Sequence, residues 1–207
     1  MGLEEEARYP YLPTVRRTGA ECFTLGDQTL SVNLTNFWQW SSSDLVGNTA
    51  RGCLAEYIVA MALGLTAGVR NDWEAYDLEF NGWKIEVKTS AYLQSWPQQR
   101  LSRPVFSVRP ARRWNPITGG MSSDVRRHAD LYVFCLHHHK EQESLNPRDL
   151  TQWTFNVLPT SRLESSTRFK DAKTIGLNSL LTLNASKVSF NDLGSCITDT
   201  IKEVKSA

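Results

Sequence analysis

A chain of 207 residues with 41% hydrophobic and 10% aromatic residues has the composition of a folded protein, which excludes an intrinsically disordered one. A formal net charge of +1 gives no general affinity for polyanions, so any case for nucleic acid must rest on local charge. There is no apolar run of the roughly 18 residues a membrane span needs and no secretory leader pattern, so no membrane partner is expected. Cys22, Cys53, Cys135 and Cys196 are scattered without a C-x-x-C, as expected of reduced thiols in a cytoplasmic protein, with two of them inside apolar segments.

The length fits one domain, divided into an N-terminal arm (1–36), a core (48–136) and a C-terminal extension of strands and helices (141–207). Pro10, Pro13, Gly19 and Gly26 punctuate the arm, with short strands predicted at 22–25 and 29–34. A short helix is predicted over 36–45, carrying Phe37, Trp38, Trp40 and Leu45. The next, over 50–65, is the clearest: Ala50, Cys53, Leu54, Tyr57, Ile58, Met61 and Leu65 recur at helical spacing, with Asn48 or Thr49 as cap. Glu56 lies off that stripe, in line with Gly52 and Ala60. It is either a solvated surface residue or, with small neighbours, a carboxylate on an edge that approaches the sheet.

Residues 73–92, WEAYDLEFNGWKIEVKTSAY, organise the rest. Asn81-Gly82 between two alternating runs signals a two-residue hairpin, because both turn positions favour φ > 0. That turn sets Phe80 opposite Trp83, Glu79 opposite Lys84, Leu78 opposite Ile85 and Asp77 opposite Glu86. Period-2 alternation then buries Tyr76, Leu78, Phe80, Trp83, Ile85 and Val87 on one face and puts Asp77, Glu79, Lys84, Glu86 and Lys88 on the other. Facing acids on paired strands repel, so Asp77 opposite Glu86 calls for a positive charge between them, such as a divalent metal. The other reading is a solvated face of alternating charge, which leaves that pair unexplained.

Asp77, eight residues, Glu86, one residue and Lys88 resemble the D-x(n)-(D/E)-x-K motif of the PD-(D/E)XK, or restriction-endonuclease-like, nucleases. The resemblance implies an α/β fold with a restriction-endonuclease-like core, a mixed central β-sheet flanked by helices. It implies a metal-dependent nuclease, with DNA the expected substrate, and restriction or phage defence among its roles. Asp77 and Glu86 would hold Mg2+, with Mn2+ a substitute and the Val87 carbonyl a further ligand; Glu56 would supply a third carboxylate. Lys88 would orient or deprotonate water, or stabilise charge. Ser90 and Gln94 beyond it would contact phosphate or water, or serve the structure alone. A homodimer would suit cleavage of both strands.

Residues 98–128 hold seven arginines (100, 103, 109, 112, 113, 126 and 127) against one acid, Asp124. Trp114, Asn115, Pro116, Gly119 and Gly120 lie among them, so this stretch is expected to be largely loop around a strand at 105–108. Arginine with aromatic and glycine residues suits phosphate contact, with Arg109, Arg112, Arg113, Arg126 and Arg127 as candidates and Trp114 stacking on a base. A solvated charged loop is the bland alternative. The apolar run 130–136 predicts a central strand covered on both faces. His137, His138 and His139 alternate in direction and cannot share one ion, so they read as strand-end residues. Further on, a strand at 153–158, short helices at 160–165 and 177–183, a segment at 187–190 and a helix from Asn191 or Asp192 to about 204 are expected. Two other functions stay open: a nucleic-acid-binding module that no longer cleaves, and an interaction subunit on a nuclease-like fold.

Overall fold

The computed structural model describes Tyr9, residues 12–115 and residues 119–206, so Pro10 of the predicted arm and Pro116 of the arginine-rich stretch lie outside the described residues. The chain opens with an antiparallel pair, β1 (Cys22–Leu25) and β2 (Gln28–Asn33), as predicted to within a residue. α1 (Leu34–Ser42) follows at once, because Asn33 and Asn36 exchange side-chain-to-backbone hydrogen bonds of 3.2 and 3.0 Å in a capping box.

α2 (Asn48–Ala62) is the predicted helix, but its cap is Gly47, without a side-chain bond. Asp44 accepts from the N–H groups of Val46 and Gly47 at 3.2 and 2.9 Å. Its buried face is also rotated from the expected stripe: Arg51, Ala55, Ile58, Val59 and Ala60 are covered, whereas Cys53 is exposed and Tyr57 is 51% exposed. Ala55 and Ala60 are small enough to bring the helix close to the sheet, so close approach rather than bulk decided which face turned inward.

The central sheet follows from two strands. β4 (Trp83–Ala91) and β8 (Leu131–His137) run parallel, with Ile85 beside Leu131 and Ala91 beside His137. Asp130 locks their start: its N–H donates to the Lys84 carbonyl at 2.8 Å and its carboxylate accepts from the Lys84 N–H at 2.9 Å. β3 (Leu78–Phe80) adds antiparallel to one edge of β4, and β9 (Trp153–Pro159) adds antiparallel to β8. β11 (Ser186–Val188) closes the far side, giving the order β11-β9-β8-β4-β3. All seven residues of β8 are buried, as its unbroken apolar run predicts.

Alternation along these strands feeds two cores. On one face Ile85, Val87, Val133, Cys135, Phe155 and Val157 meet α2 and the C-terminal helix α5 (Phe190–Ser206). On the other, Tyr132, Phe134, Leu136 and Leu158 meet Phe106, Val108, Leu163, Ile175 and Leu180. These come from β5 (Val105–Ser107), α3 (Thr160–Glu164), β10 (Thr174–Gly176), α4 (Leu177–Thr182) and the turns beside them. β10, which pairs antiparallel with β5, has no counterpart in the sequence reading.

The stretch read as mostly loop is instead a hairpin, β6 (Ala111–Asn115) with β7 (Gly120–Arg126), antiparallel and irregular between Arg112 and Trp114. Its arginine-rich strands lack an apolar alternation, so nothing in the sequence advertised them. Among the described residues, no helix is long and apolar enough to cross a membrane.

Candidate active site

The Asn81-Gly82 turn has φ of 52° and 79°, and the register it imposes is the expected one: Phe80 with Trp83, Glu79 with Lys84 and Leu78 with Ile85. Pairing stops there. The Asp77 N–H donates to the Ile85 carbonyl at 3.0 Å, one residue out of register, and Asp77 Oδ2 accepts from the Val87 N–H at 2.7 Å. The carboxylate thus takes the place that a longer β3 would have filled at the edge of β4. The slip also turns Tyr76 away from the buried face on which alternation had placed it. Its hydroxyl donates to Glu79 at 2.9 Å, and the Lys84 ammonium lies 5.3 Å from its ring centroid.

Glu86 and Lys88 project from β4 beside Tyr132 and Phe134 of β8, and the two form an ion pair with side chains 19% and 29% exposed. Burial and the nearby Glu86 charge raise the proton affinity of the Asp77 carboxyl above the ordinary carboxylate range. Burial alone would lower the Lys88 pKa, but Glu86 and Asp77 outweigh it and hold the ammonium above its usual value. Tyr132 is raised by burial and then by Glu86. The cluster is therefore short of positive charge even with Lys88 in place. Asp77 and Glu86 are the two oxygen acids here that could hold a hard divalent cation, whose charge would offset their mutual repulsion. Val87 presents its N–H to Asp77, and strand geometry puts its carbonyl on the same open edge.

Glu56 is placed differently. α2 packs on the face of Ile85 and Val87, opposite to that of Glu86, so Glu56 approaches Asp77 from the other side of the sheet. It is 12% exposed at its side chain and held by Arg70, with Nε to Oε2 at 2.5 Å and Nη2 to Oε1 at 3.0 Å. Arg70 also pairs with Asp72. Glu56, Arg70 and Asp77 line one cavity of about 760 Å³ with Trp38 and Tyr57. Among the described residues, no three acidic, histidine or cysteine side chains converge closely enough to hold an ion. The expected third carboxylate is thus near the site but occupied by a guanidinium. Arg70 was missed from sequence because a lone arginine in a polar linker gives no sign that it reaches back to residue 56.

The residues expected to meet nucleic acid divide into two groups. Ser90 is buried and its hydroxyl accepts from the Val105 N–H at 3.2 Å. Gln94 accepts from Arg51 at 3.1 Å and donates to the Ala91 carbonyl at 3.0 Å. Arg127 is 6% exposed and donates to the carbonyls of Val108, Lys170, Phe169 and Ala172 at 2.9, 2.8, 3.2 and 3.2 Å. It ties the arginine-rich stretch to the segment after α3, which corrects its assignment to a binding surface. The second group stays outside: Arg109 and Arg112 are exposed, Arg113 lies 3.6 Å from Glu74, and Arg126 pairs with Asp124 at 2.7 Å. Trp114 sits 5.9 Å from Trp73, which is 59% exposed and was not singled out in the sequence.

The three histidines at and just beyond the end of β8 take separate partners. His137 is buried against Trp153 and bonded to Gln152, His138 meets Thr154 and His139 meets Ser144.

Comparison with family models matches residues 27–179, about three quarters of the chain, to the family described as bacteriophage T4 endonuclease IV. The match takes in the hairpin, β8 and the arginine-rich strands and stops before α5. No curated protein and no solved structure matches the chain.

Proposed function

Since this chain belongs to the bacteriophage T4 endonuclease IV family, we propose that it is a metal-dependent DNA endonuclease with a restriction-endonuclease-like, PD-(D/E)XK site formed by Asp77, Glu86 and Lys88. The observation that carries this reading is the Asp77 carboxylate at the open edge of β4, beside the strand that bears Glu86 and Lys88. Family membership supports the nuclease reading, and this arrangement supports the metal and the residues.

Hydrolysis joins a water oxygen to phosphorus, breaks one P–O ester bond and leaves a proton on the departing oxygen. Asp77, Glu86 and the Val87 carbonyl would hold magnesium, which when bound supplies charge neutralisation and a water of lowered pKa. Lys88 keeps its ammonium at the centre of the cluster, where it stabilises negative charge gathering on the phosphate. Glu56 works through Arg70, fixing a guanidinium in the cavity that Asp77 also lines. Arg109 and Arg112 present free-facing charge to the phosphate backbone, and the Trp73–Trp114 pair offers a surface for a base.

The test is cleavage of supercoiled plasmid and linear single-stranded DNA with magnesium, manganese or EDTA, comparing the native chain with Asp77→Ala and Lys88→Ala. Metal-dependent cutting lost in both variants is expected. Cutting that survives both moves the chemistry elsewhere, and salt-sensitive binding without cutting identifies a binding module instead.

A further inference from the structure

A second cavity, of about 380 Å³, opens at the other end of the sheet, lined by Tyr92, His138, Lys140, Thr154, Asn156 and Lys187 together with leucines. It lies on the face that bears Glu86 and Lys88 but beyond the end of β4, where Tyr92 follows Lys88 by four residues. The first hydroxyl-bearing row between them is already closed, since Ser90 is bonded under β5.

Three properties of this cavity belong together. Its floor is Asn156, 0% exposed, whose Oδ1 and Nδ2 both lack a hydrogen-bond partner among the described residues. A buried carboxamide without partners is costly, and most buried polar groups have them. Its rim is cationic: Lys187 sits directly across from Asn156 in the β11–β9 ladder, and the Lys140 ammonium lies 4.7 Å from the Tyr92 ring centroid. Among the described residues, no carboxylate lines the cavity to balance them. His138, held 2.8 Å from the Thr154 hydroxyl, has its pKa lowered chiefly by burial and further by the neighbouring Lys187, His139 and Lys140. Its walls, finally, are apolar, from Leu136, Leu177 and Leu181.

We propose that this cavity binds a nucleoside monophosphate unit, with the base against the leucine wall, its edge paired to Asn156 and its phosphate between Lys140 and Lys187. A fully deprotonated anion such as sulfate only accepts hydrogen bonds and would leave Asn156 Oδ1 unsatisfied, and a hydrogenphosphate, which can donate, would leave the leucine wall uncovered. A base edge presents a donor and an acceptor side by side and satisfies both atoms at once. The volume falls in the range of small organic ligand sites and is far larger than one phosphate requires. The site stands apart from the catalytic cluster and does not depend on cleavage. The nucleotide can be free or an unstacked nucleotide of a substrate strand, since the recognising chemistry is the same.

The experiment is calorimetric titration of the full chain in EDTA with the four deoxynucleoside 5′-monophosphates, the matching deoxynucleosides and inorganic phosphate. Saturable binding of at least one nucleotide is expected, about tenfold weaker in Asn156→Leu and in Lys187→Ala and unchanged in Asp77→Ala. The deoxynucleoside and inorganic phosphate should each bind at least tenfold more weakly than that nucleotide. Displacement of the nucleotide by a short oligonucleotide supports the strand form of the proposal, and its persistence supports the free form. Absence of saturable binding overturns the proposal, as does inorganic phosphate binding as tightly as the nucleotide. So does binding lost in Asp77→Ala but kept in Lys187→Ala. Lys187 is exposed and tolerates truncation, so the test survives if Asn156→Leu fails to fold.

Discussion

Arg127→Met separates an arginine that binds the protein from the arginines that face outward. The guanidinium of Arg127 satisfies four carbonyls on two chain segments, and two of those bonds, Nε to Val108 and Nη2 to Phe169, are fully buried. Methionine fills similar space without a donor; the Phe169 carbonyl keeps the Ala172 N–H at 3.1 Å, but the Val108 carbonyl loses its donor, at about 1–3 kcal/mol. Release of a buried guanidinium from its own desolvation offsets part of this and loss of the remaining guanidinium bonds adds to it, so a loss of about 2 kcal/mol is expected. That is a large fraction of the roughly 5–15 kcal/mol that holds a typical domain folded. Urea unfolding followed by tryptophan fluorescence measures it, with exposed Arg112→Met as the control, whose midpoint should stay within about 0.5 kcal/mol of the native chain. DNA affinity should behave in the opposite way: Arg112→Met lowers it and reduces its salt dependence, while folded Arg127→Met keeps both. An Arg127→Met protein as stable as the native chain but weaker on DNA would refute the structural role.

Asp77→Asn keeps an oxygen to accept from the Val87 N–H but removes a charge that burial and Glu86 both oppose. Metal-free unfolding should show no loss of stability while cleavage falls by at least about a hundredfold, and a lowered midpoint would contradict this account of the site. His137, 1% exposed and stacked 4.7 Å from the Trp153 ring, has its pKa lowered from 6.5 to about 4 by burial. The unfolded chain therefore takes up its proton first. Stability tied to neutral His137 is fully present above pH 6.5 and drains away as pH falls toward 4, by about 3 kcal/mol in all. His137→Phe should flatten the fall in urea midpoint over that interval, and an unaltered slope would assign it to other groups. Gly194→Ala tests the contact between α5 and α2, because an added Cβ would lie 2.4 Å from the Ala62 carbonyl oxygen. Separating the helices should cost about 1–3 kcal/mol in thermal unfolding, and a more stable variant would mean that helix propensity outweighs the contact.

The sequence alone determined the register of the central hairpin, because the Asn81-Gly82 turn and strict alternation act over a handful of residues. It determined β8 as the buried central strand and α2 and α5 as helices, since apolar runs and helical spacing are also local. Tertiary structure decided where that hairpin stops pairing, and so that Asp77 lies at an open strand edge instead of across from Glu86. It decided which face of α2 turns inward, and that Glu56 is held by Arg70 on the side of the sheet away from Glu86. It also split one arginine-rich stretch into Arg127, buried among carbonyls, and Arg109 and Arg112, left at the surface. Periodicity states which positions are apolar, but a charge is buried only where remote backbone arrives to satisfy it. Those partners, more than 40 residues from Arg127 at Phe169, Lys170 and Ala172, are brought together by packing alone.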